Sequence, residues 1–331
     1  MSSWPRRVVG QHDATRPGRR GGLRAENLPG AFRRVHAIDG AGAPRVAGHV
    51  QPLVGRVAIV TGAGRGLGRA HARALAAAGA RVVVNDIGCG VDGLGADTGV
   101  AAAVVEEIRA AGGEATPSVE RVGTVAAGEA IVRTALETFG RLDVLVNNAG
   151  ITESHPLEEF PEDAWMRIVG VHLTGSFACA RAAFAAMRAA GRGGRILNTT
   201  SGAGLDHVYP GTAGYAAAKA GVASLTRVIA AEGASHGITC NAVAPLARTR
   251  MSAAFLGDDD PGALDPAALG PLVVYLASEA SAGVSGAVFT FREGRIGIVR
   301  PERSETIAPR GPAWTLDELQ ARLPTLVRSA T

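Results

Sequence analysis

The stretch RVAIVTGAGRGLGRAHARALAAAGA, residues 56–80, contains an apolar run, a glycine-rich turn and a helical pattern in direct succession. RVAIVT (56–61) is a short apolar run, as expected of a strand that is buried on both faces of a sheet. The glycines interrupt the run, and the alanine-rich segment that follows favours a helix. A strand that feeds a helix through a glycine turn is typical of a βαβ unit, so this stretch predicts a parallel sheet.

The same alternation continues along the chain. Further strands are predicted at RVVVND (81–86), LDVLVN (142–147), RILNTT (195–200), ITCNAVA (238–244) and GAVFTF (286–291). Helices are predicted near 98–112, 125–139, 162–190 and 212–235. Because strands alternate with long helices, we expect a single α/β domain with a Rossmann-type, doubly wound parallel sheet, in which GAVFTF is the last strand.

The predicted catalytic domain occupies residues 55–292. Residues 1–54 are rich in Gly, Pro and Arg and show no sustained period. Such a composition cannot bury enough apolar surface, so we expect a disordered or loosely attached extension. Upstream sequence from a wrongly chosen start codon is the alternative. Residues 293–331 form a C-terminal extension.

One short helix is predicted within that C-terminal extension. Thr315 and Glu318 have the spacing of a capping box, in which each side chain bonds the backbone of the other residue. The helix is expected to run from Leu316 to Leu323 and to end at Pro324, which lacks a backbone N–H.

The composition argues against several classes of partner. The first 50 residues hold nine arginines and three acidic residues, whereas the rest of the chain holds 25 basic and 27 acidic residues. The basic character is therefore a property of the tail, and no nucleic-acid partner is expected. Cys89, Cys179 and Cys240 lack the spacing of a zinc site or a disulfide framework, so we expect no metal and a cytoplasmic location. Without a run of about 18 apolar residues, no membrane partner is expected.

The turn TGAGRGLG has the features of a dinucleotide phosphate site. Gly62 permits a tight turn, while Gly66 and Gly68 let the backbone approach a pyrophosphate. The helix that follows offers free N–H groups and the positive end of its dipole. The predicted site comprises Gly62, Arg65, Gly66, Leu67 and Gly68.

Asp86 ends the second predicted strand. A carboxylate at this position can accept both hydroxyls of an adenosine ribose and repels a 2′-phosphate, which favours NAD over NADP. Arg65 argues in the opposite direction, because a guanidinium attracts a 2′-phosphate. The alternative for Asp86 is that its carboxylate only caps a loop.

Tyr215 and Lys219 stand four residues apart on a predicted helix, so they share one face. Lys219 is the only lysine in the chain. A nearby ammonium stabilises a phenolate and lowers the pKa of tyrosine from its usual value of about 10. Lysine suits this task because its charge is compact, whereas arginine spreads its charge over a planar fork. The alternative is a surface lysine that survived an arginine bias by chance.

TGAGRGLG, NNAG (147–150) and YAAAK (215–219), in this order and spacing, resemble the motifs of the classical short-chain dehydrogenase/reductase family. The match covers about residues 54–292. VVVNDIG, VHLTGSF (171–177), the P-x-x-x-x-R-M stretch at 245–251 and GRIGIVRPER resemble a subgroup, the (3R)-hydroxyacyl-CoA dehydrogenase domain of peroxisomal multifunctional enzyme type 2 and its bacterial relatives.

This resemblance implies hydride transfer between a secondary alcohol, or its ketone, and NAD. It suggests a 3-hydroxyacyl thioester as the substrate, with a steroid or polyketide alcohol as the alternative. Members of the family usually form homodimers or homotetramers. The rival reading is a scaffold or regulator that binds the cofactor but has lost catalysis.

Roles for single residues follow from the resemblance by position. Tyr215 is the general acid/base. Lys219 lowers its pKa and holds the nicotinamide ribose, so both residues also contact the cofactor. Ser201 hydrogen-bonds the substrate oxygen. Asn148 lies over the adenine-side ribose, and Thr249 holds the nicotinamide carboxamide.

The chain departs from the family pattern at three places. Ser201 and Tyr215 are one residue farther apart than in most members, which supports the rival reading and makes Thr200 a fallback for Ser201. His172 replaces the helix asparagine of the family's proton relay, and we count it as catalytic because imidazole can relay a proton or anchor water. Gly123 stands where an aspartate usually contacts adenine, which puts the strength of adenine binding in doubt.

Overall fold

The computed structural model describes residues 51–252, 265–300 and 313–329, together with Thr306, Ala308 and Arg310. The predicted N-terminal extension therefore lies outside the described residues, except for its last four positions.

Eight strands form one sheet in the described part of the chain. They are β1 (Val57–Thr61), β2 (Arg81–Asn85), β3 (Ala115–Ser118), β4 (Val144–Asn147), β5 (Gly194–Thr199), β6 (Ile238–Pro245), β7 (Val288–Arg292) and β8 (Arg295–Val299). Their order across the sheet is β3-β2-β1-β4-β5-β6-β7-β8. The first seven strands pair in parallel, and β8 pairs antiparallel with β7. The sheet is wound outward from β1 in both directions, which confirms the doubly wound prediction.

Helices cover both faces of the sheet. They are α1 (Gly66–Ala77), α2 (Gly99–Ala110), α3 (Val125–Phe139), α4 (Glu162–Val169), α5 (Gly175–Ala190), α6 (Ala213–Gly233), α7 (Gly270–Ala277) and α8 (Leu316–Ser329). α1, α2 and α7 pack on one face, and α3, α5 and α6 on the other. All five residues of β1 are buried, because parallel strands between two helical layers have no solvent-facing side.

The helix predicted over 162–190 is divided. A π-helical turn, Gly170–Thr174, separates α4 from α5. Such a turn inserts one residue into the helical repeat and rotates the side chains that follow it, and π-helical turns occur often at functional sites. Here it carries His172.

The ordered domain begins before the predicted boundary at residue 55. Leu53 is completely buried in the hydrophobic core, and its N–H donates to the carbonyl oxygen of Ala78 at 3.0 Å. Because the preceding stretch is rich in glycine and arginine, its composition gave no sign that Leu53 belongs to the core.

Two expectations for the C-terminal part are wrong. GAVFTF is not the last strand, because β8 extends the sheet past residue 292. The last helix does not end at Pro324 but continues to Ser329. Proline removes one backbone hydrogen bond from a helix, yet its fixed φ is compatible with helical geometry. The predicted start is confirmed, since Glu318 N–H donates to Thr315 Oγ1 at 3.2 Å.

The helical stretch Glu162–Ala190 is 29 residues long with a hydropathy of 1.3, enough by length and composition to cross a membrane. Of the window concerned, 44% is buried inside the protein, as in core helices of globular proteins. α5, its second part, packs with α3 on one face of the sheet. The helix is therefore weak evidence for a membrane span, and the absence of a membrane partner stays a prediction.

Candidate active site

The predicted site residues gather at one edge of the sheet. Most of them follow the carboxyl ends of parallel strands, namely Gly62 after β1, Asp86 after β2, Asn148 after β4, Ser201 after β5 and Thr249 after β6. Chain connections run to opposite sides of the sheet after β1 and after β4, so a crevice opens between these two strand ends. Ligands of doubly wound proteins bind in this crevice.

The glycine turn is shaped for a close backbone approach. Gly62 has φ +62°, and a Cβ there would lie 2.7 Å from the Cα of Ala149. A Cβ on Gly68 would lie 2.0 Å from the carbonyl oxygen of Gly62. Only glycine fits either position. Arg65, the N-cap residue of α1, makes no side-chain hydrogen bond to that helix, so the first N–H groups of α1 lack the cap that α3 has.

Asp86 connects the end of β2 to the glycine turn. Its Oδ2 accepts from the N–H of Gly64 at 2.8 Å, and its Oδ1 accepts from the N–H of Gly88 at 2.7 Å. The carboxylate thus orders its own loop while lying beside the turn. Each oxygen keeps further acceptor capacity, so loop capping and ligand binding are compatible. Arg65 Nη1 donates to the carbonyl oxygen of Cys89 at 3.3 Å in the same loop.

Asn148 and Thr249 both contact the glycine turn. Asn148 Nδ2 donates to the carbonyl oxygens of Thr61 and Gly62 at 3.0 and 3.1 Å. This amide nitrogen therefore fixes the turn against β4. Thr249 lies across from Gly66, where a Cβ would be 3.3 Å from the threonine Cγ2.

Lys219 is buried, with 4% of its surface exposed. Its Nζ donates to the carbonyl oxygen of Thr199 at 2.6 Å and lies 5.7 Å from the ring centroid of Tyr215. Burial lowers the pKa of Lys219 from 10.5 to about 7.

Thr200, the fallback for Ser201, is 1% exposed, and its hydroxyl donates to the carbonyl oxygen of Lys219 at 2.7 Å. Thr200 is thus directed toward α6.

Ser201 and Tyr215 meet despite their longer separation in sequence. Burial raises the pKa of Tyr215 above its usual value, a hydrogen bond with the Ser201 side chain acts in the opposite direction, and Tyr209 adds to the increase. Lys219 is not among the causes of this shift, so the expectation that it lowers the pKa of Tyr215 stays a prediction.

His172 packs edge-on against Tyr215, with ring centroids 5.0 Å apart. Its Nε2 lies 2.7 Å from the carbonyl oxygen and 3.0 Å from the nitrogen of Ile151. Burial, and next the charge of Lys219, lower the pKa of His172 well below 6.5, so the imidazole is neutral at neutral pH. Its Nδ1 is buried and has no hydrogen-bond partner among the described residues.

Gly123, where the family aspartate is absent, borders a cavity of about 540 Å³ at the carboxyl ends of β3 and β4. Gly123 has φ +149°, a region that side-chain-bearing residues rarely adopt, and a Cβ there would meet nothing closer than 3.6 Å. The wall also contains Val122, Ile151 and Val171. Glu120, Arg121 and Arg167 line the cavity as well, so its wall is part aliphatic and part charged, and the effect of Gly123 on adenine binding stays a prediction.

Several functional contacts escaped the sequence reasoning. The acceptor for Lys219 is a backbone carbonyl, which leaves no side-chain signature. Asn147 Nδ2 bonds Asn198 Oδ1 at 2.9 Å and so joins β4 to β5 beneath the site; its position as the first residue of NNAG was the available signal. Tyr209, which adds to the raised pKa of Tyr215, lies in the loop DHVYPG (206–211), which has no periodic pattern. The described residues contain no group of three or more His, Cys, Asp or Glu that could hold a metal ion.

The model of the family described as short chain dehydrogenase matches residues 56–258. Peroxisomal multifunctional enzyme type 2 of Mus musculus is 44% identical over 250 residues, which are 76% of this chain and 33% of the mouse protein. The chain thus spans about a third of that relative.

Two mycobacterial proteins match over most of their own length. Hydroxyacyl-CoA dehydrogenase ChsB1 of Mycobacterium tuberculosis is 39% identical over 292 residues, covering 82% of this chain and 88% of that protein. A crystal structure of a short chain dehydrogenase from Mycobacterium avium shows a TM-score of 0.76 at 44% identity and covers 84% of this chain and 96% of that one. These matches confirm the predicted resemblance, and the chain belongs to the short-chain dehydrogenase family of oxidoreductases.

Proposed function

We propose that this protein is an NAD-dependent oxidoreductase that transfers a hydride between a 3-hydroxyacyl thioester, or the corresponding ketone, and nicotinamide. The observation that carries the proposal is the convergence of Ser201, Tyr215 and Lys219 at the sheet edge that holds the glycine turn. The thioester is supported by the name of the mycobacterial relative, a hydroxyacyl-CoA dehydrogenase that the chain matches over most of its length.

The fit of a dinucleotide rests on the glycine turn. Side chains are excluded at Gly62 and Gly68, and the uncapped N–H groups of α1 offer donors to a pyrophosphate. Asp86 would accept the adenosine ribose hydroxyls with its remaining lone pairs. NAD supplies the hydride-accepting nicotinamide, and the remaining work falls to the protein's own groups.

Proton transfer is assigned to Tyr215. As a phenolate, Tyr215 takes the hydroxyl proton of the substrate during oxidation, and as a phenol it returns that proton during reduction, while Ser201 holds the same oxygen. Lys219, with a pKa of about 7, can gain or lose a proton at neutral pH and so couples the phenol to the rest of the site. The neutral ring of His172 keeps one buried nitrogen available to a proton carrier such as water.

NAD is proposed over NADP because of the carboxylate of Asp86. A 2′-phosphate on the ribose would meet this negative charge, whereas two ribose hydroxyls would donate to it. Arg65 is turned toward the carbonyl oxygen of Cys89, so its charge lies over the same loop. The steady-state comparison of both cofactors, described in the Discussion, tests this choice.

A cytoplasmic homodimer or homotetramer that binds neither nucleic acid nor membrane completes the proposal. Cys179 and Cys240 are buried free thiols, which suits a reducing compartment. Half-exposed apolar side chains on α3 and α5, among them Leu136 and Phe177, would gain from association. Light scattering of the purified protein measures the oligomeric state, and a monomer would contradict the proposed homo-oligomer.

Turnover itself is the primary test. The protein is assayed with NAD against a panel of secondary alcohols and 3-hydroxyacyl thioesters, with formation of reduced cofactor as the signal. The proposal expects turnover that depends on the thioester. A folded protein that binds NAD but turns over no substrate would support the scaffold instead.

A further inference from the structure

The segment 152–155, which follows β4 and is called the bridging segment below, connects two parts of the site. The N–H of Thr152 donates to the carbonyl oxygen of Val91 at 2.7 Å, in the loop between β2 and α2. The N–H of His155 donates to the carbonyl oxygen of Gly211 at 3.0 Å, in the loop that leads into α6. The bridging segment therefore joins the proposed cofactor loop after β2 to the start of the helix that carries the catalytic tyrosine.

Glu153 fixes the bridging segment to α4. Its Oε1 lies 2.7 Å from Nε2 of His155, and its Oε2 accepts from Nη2 of Arg167 at 2.7 Å. These two hydrogen bonds, the one with His155 first, lower the pKa of Glu153, so the side chain is an ionised carboxylate at neutral pH. Because a carboxylate only accepts, the proton of the contact with His155 lies on Nε2. Arg167 also pairs with Asp163 on α4, which holds its guanidinium in place.

The side chain of His155 extends this anchor toward the catalytic helix. Its ring stands edge-on against Phe160, with centroids 5.3 Å apart, and Phe160 meets Trp165 in the same way at 6.4 Å. Both aromatic rings pack on Gly214, where a Cβ would lie 3.4 Å from Trp165 and 3.5 Å from Phe160. The residue after Gly214 is the catalytic tyrosine. The start of α6 therefore packs on side chains that the bridging segment supports.

We propose that Glu153 is a positioning residue that holds the bridging segment, and through it fixes the catalytic tyrosine relative to the cofactor loop. This inference rests on the proposed function and deepens it. Glu153 acts through the backbone of Thr152 and through both the backbone and the ring of His155. An amide in its place would keep the shape of the side chain but lose its charge. The bond with Arg167 would then weaken, and the two backbone bonds of the bridging segment would lose their common support.

The test uses three variants of the full chain. Glu153→Gln keeps the size of the side chain and removes its charge. His155→Phe keeps a ring against Phe160 and removes the hydrogen bond to Glu153, so it decides the matter if Glu153→Gln does not fold. Glu159→Gln is the matched control, because Glu159 is exposed in the same connection between β4 and α4 and forms no ion pair within the described part of the chain.

Each variant is measured in four ways. Calorimetry gives the Kd of NAD, and thermal melting reports the fold. Steady-state kinetics at saturating NAD give kcat for the N-acetylcysteamine thioester of 3-hydroxybutanoate. The same substrate deuterated at C3 gives the isotope effect on kcat, which reports how far hydride transfer limits turnover.

Glu153→Gln is expected to weaken NAD binding about threefold, within the range of a partly exposed ion pair. Its kcat at saturating NAD should fall about tenfold, because a small displacement of the tyrosine slows the chemical step. The isotope effect on kcat should be at least as large as in the wild type, and the melting temperature should stay within about 4 °C. His155→Phe should follow the same pattern with a loss of about threefold in kcat, whereas Glu159→Gln should change none of the four quantities.

Several results would overturn the role of Glu153 while leaving the proposed function standing. They are wild-type kcat in the folded variants, an unchanged Kd of NAD, a smaller isotope effect, or a loss of kcat that only follows the loss of folded protein. Absence of wild-type turnover on the thioester would instead remove the proposed function on which the inference rests.

Discussion

Replacing Lys219 by arginine keeps a positive charge in the site but removes the ability to lose it. Burial lowers the pKa of Lys219 from 10.5 to about 7. This difference of about 3.5 pH units means that folding with a protonated Lys219 costs about 5 kcal/mol more than folding with a neutral one. Arginine stays protonated at every accessible pH. The five N–H donors of arginine would also share the one acceptor that Lys219 uses, the carbonyl oxygen of Thr199.

The consequence is a change in how stability depends on pH. In the wild type the folded-state pKa lies below the unfolded one, so the penalty for the buried lysine is fully present below about pH 7 and disappears as the pH rises toward 10.5. This one residue should therefore add about 3 kcal/mol to the free energy of unfolding between about pH 6.5 and about pH 9.5. In Lys219→Arg this increase should be absent.

The assay is urea denaturation at several pH values, combined with turnover at neutral pH. Lys219→Met is the matched control, because it keeps the length of the side chain without a charge. Its pH dependence should also be flat, but at a higher free energy of unfolding than that of Lys219→Arg. Both variants should lose turnover by about 100-fold or more, comparable with the loss of general acid/base assistance.

Two results would refute this reasoning. A Lys219→Arg enzyme with wild-type turnover would show that the compact, titratable charge is not needed. A Lys219→Arg enzyme whose free energy of unfolding rises with pH as steeply as that of the wild type would show that the lysine does not titrate in this range.

Three further predictions concern the phenol, the carboxylate and the N-terminus. Tyr215→Phe should abolish turnover yet bind NAD with nearly wild-type affinity by calorimetry, because only the proton path is removed; a large loss of affinity would contradict this. NAD should be preferred over NADP about tenfold or more in kcat/KM, equivalent to about 1.4 kcal/mol. Asp86→Ala should reduce this preference. Equal kcat/KM values for the two cofactors in the wild type would refute the proposal that Asp86 repels the 2′-phosphate. A chain that begins at Pro52 should keep its melting temperature and its turnover. Leu53→Ala in the full chain should instead lower the free energy of unfolding by about 2–5 kcal/mol in urea denaturation. Loss of fold in the shortened chain would show that residues before Pro52 pack on the core.

The sequence predicts the fold and much of the site because the decisive residues are local. The turn around Gly62 needs glycine for steric reasons, and the apolar strands are readable because both of their faces are buried. Tyr215 and Lys219 share a helix, so their juxtaposition follows from helical geometry alone. These features require no knowledge of how distant parts of the chain meet.

What the sequence misses depends on contacts between distant segments. The Lys219 amine donates to the carbonyl oxygen of Thr199, and burial of the phenol raises the pKa of Tyr215 above its usual value. The π-helical turn at Gly170–Thr174 lies inside the continuous helical stretch Glu162–Ala190, so the predicted bounds of that stretch do not reveal it. Leu53 is one apolar residue beyond a polar stretch, and no periodic signal marks it as core.

The burial of the only lysine has a practical consequence for protein chemistry. An amine-directed acylating reagent finds one side-chain target in the whole chain, and that target is 4% exposed. Because burial is what lowers its pKa to about 7, exposure of the amine to solvent returns the pKa toward 10.5, so acylation needs both opening of the site and an alkaline pH. The rate of acylation at Lys219, separated from the α-amino group by peptide mapping, would therefore report how often this part of the molecule opens. A single covalent label would therefore measure the rate at which the active site opens.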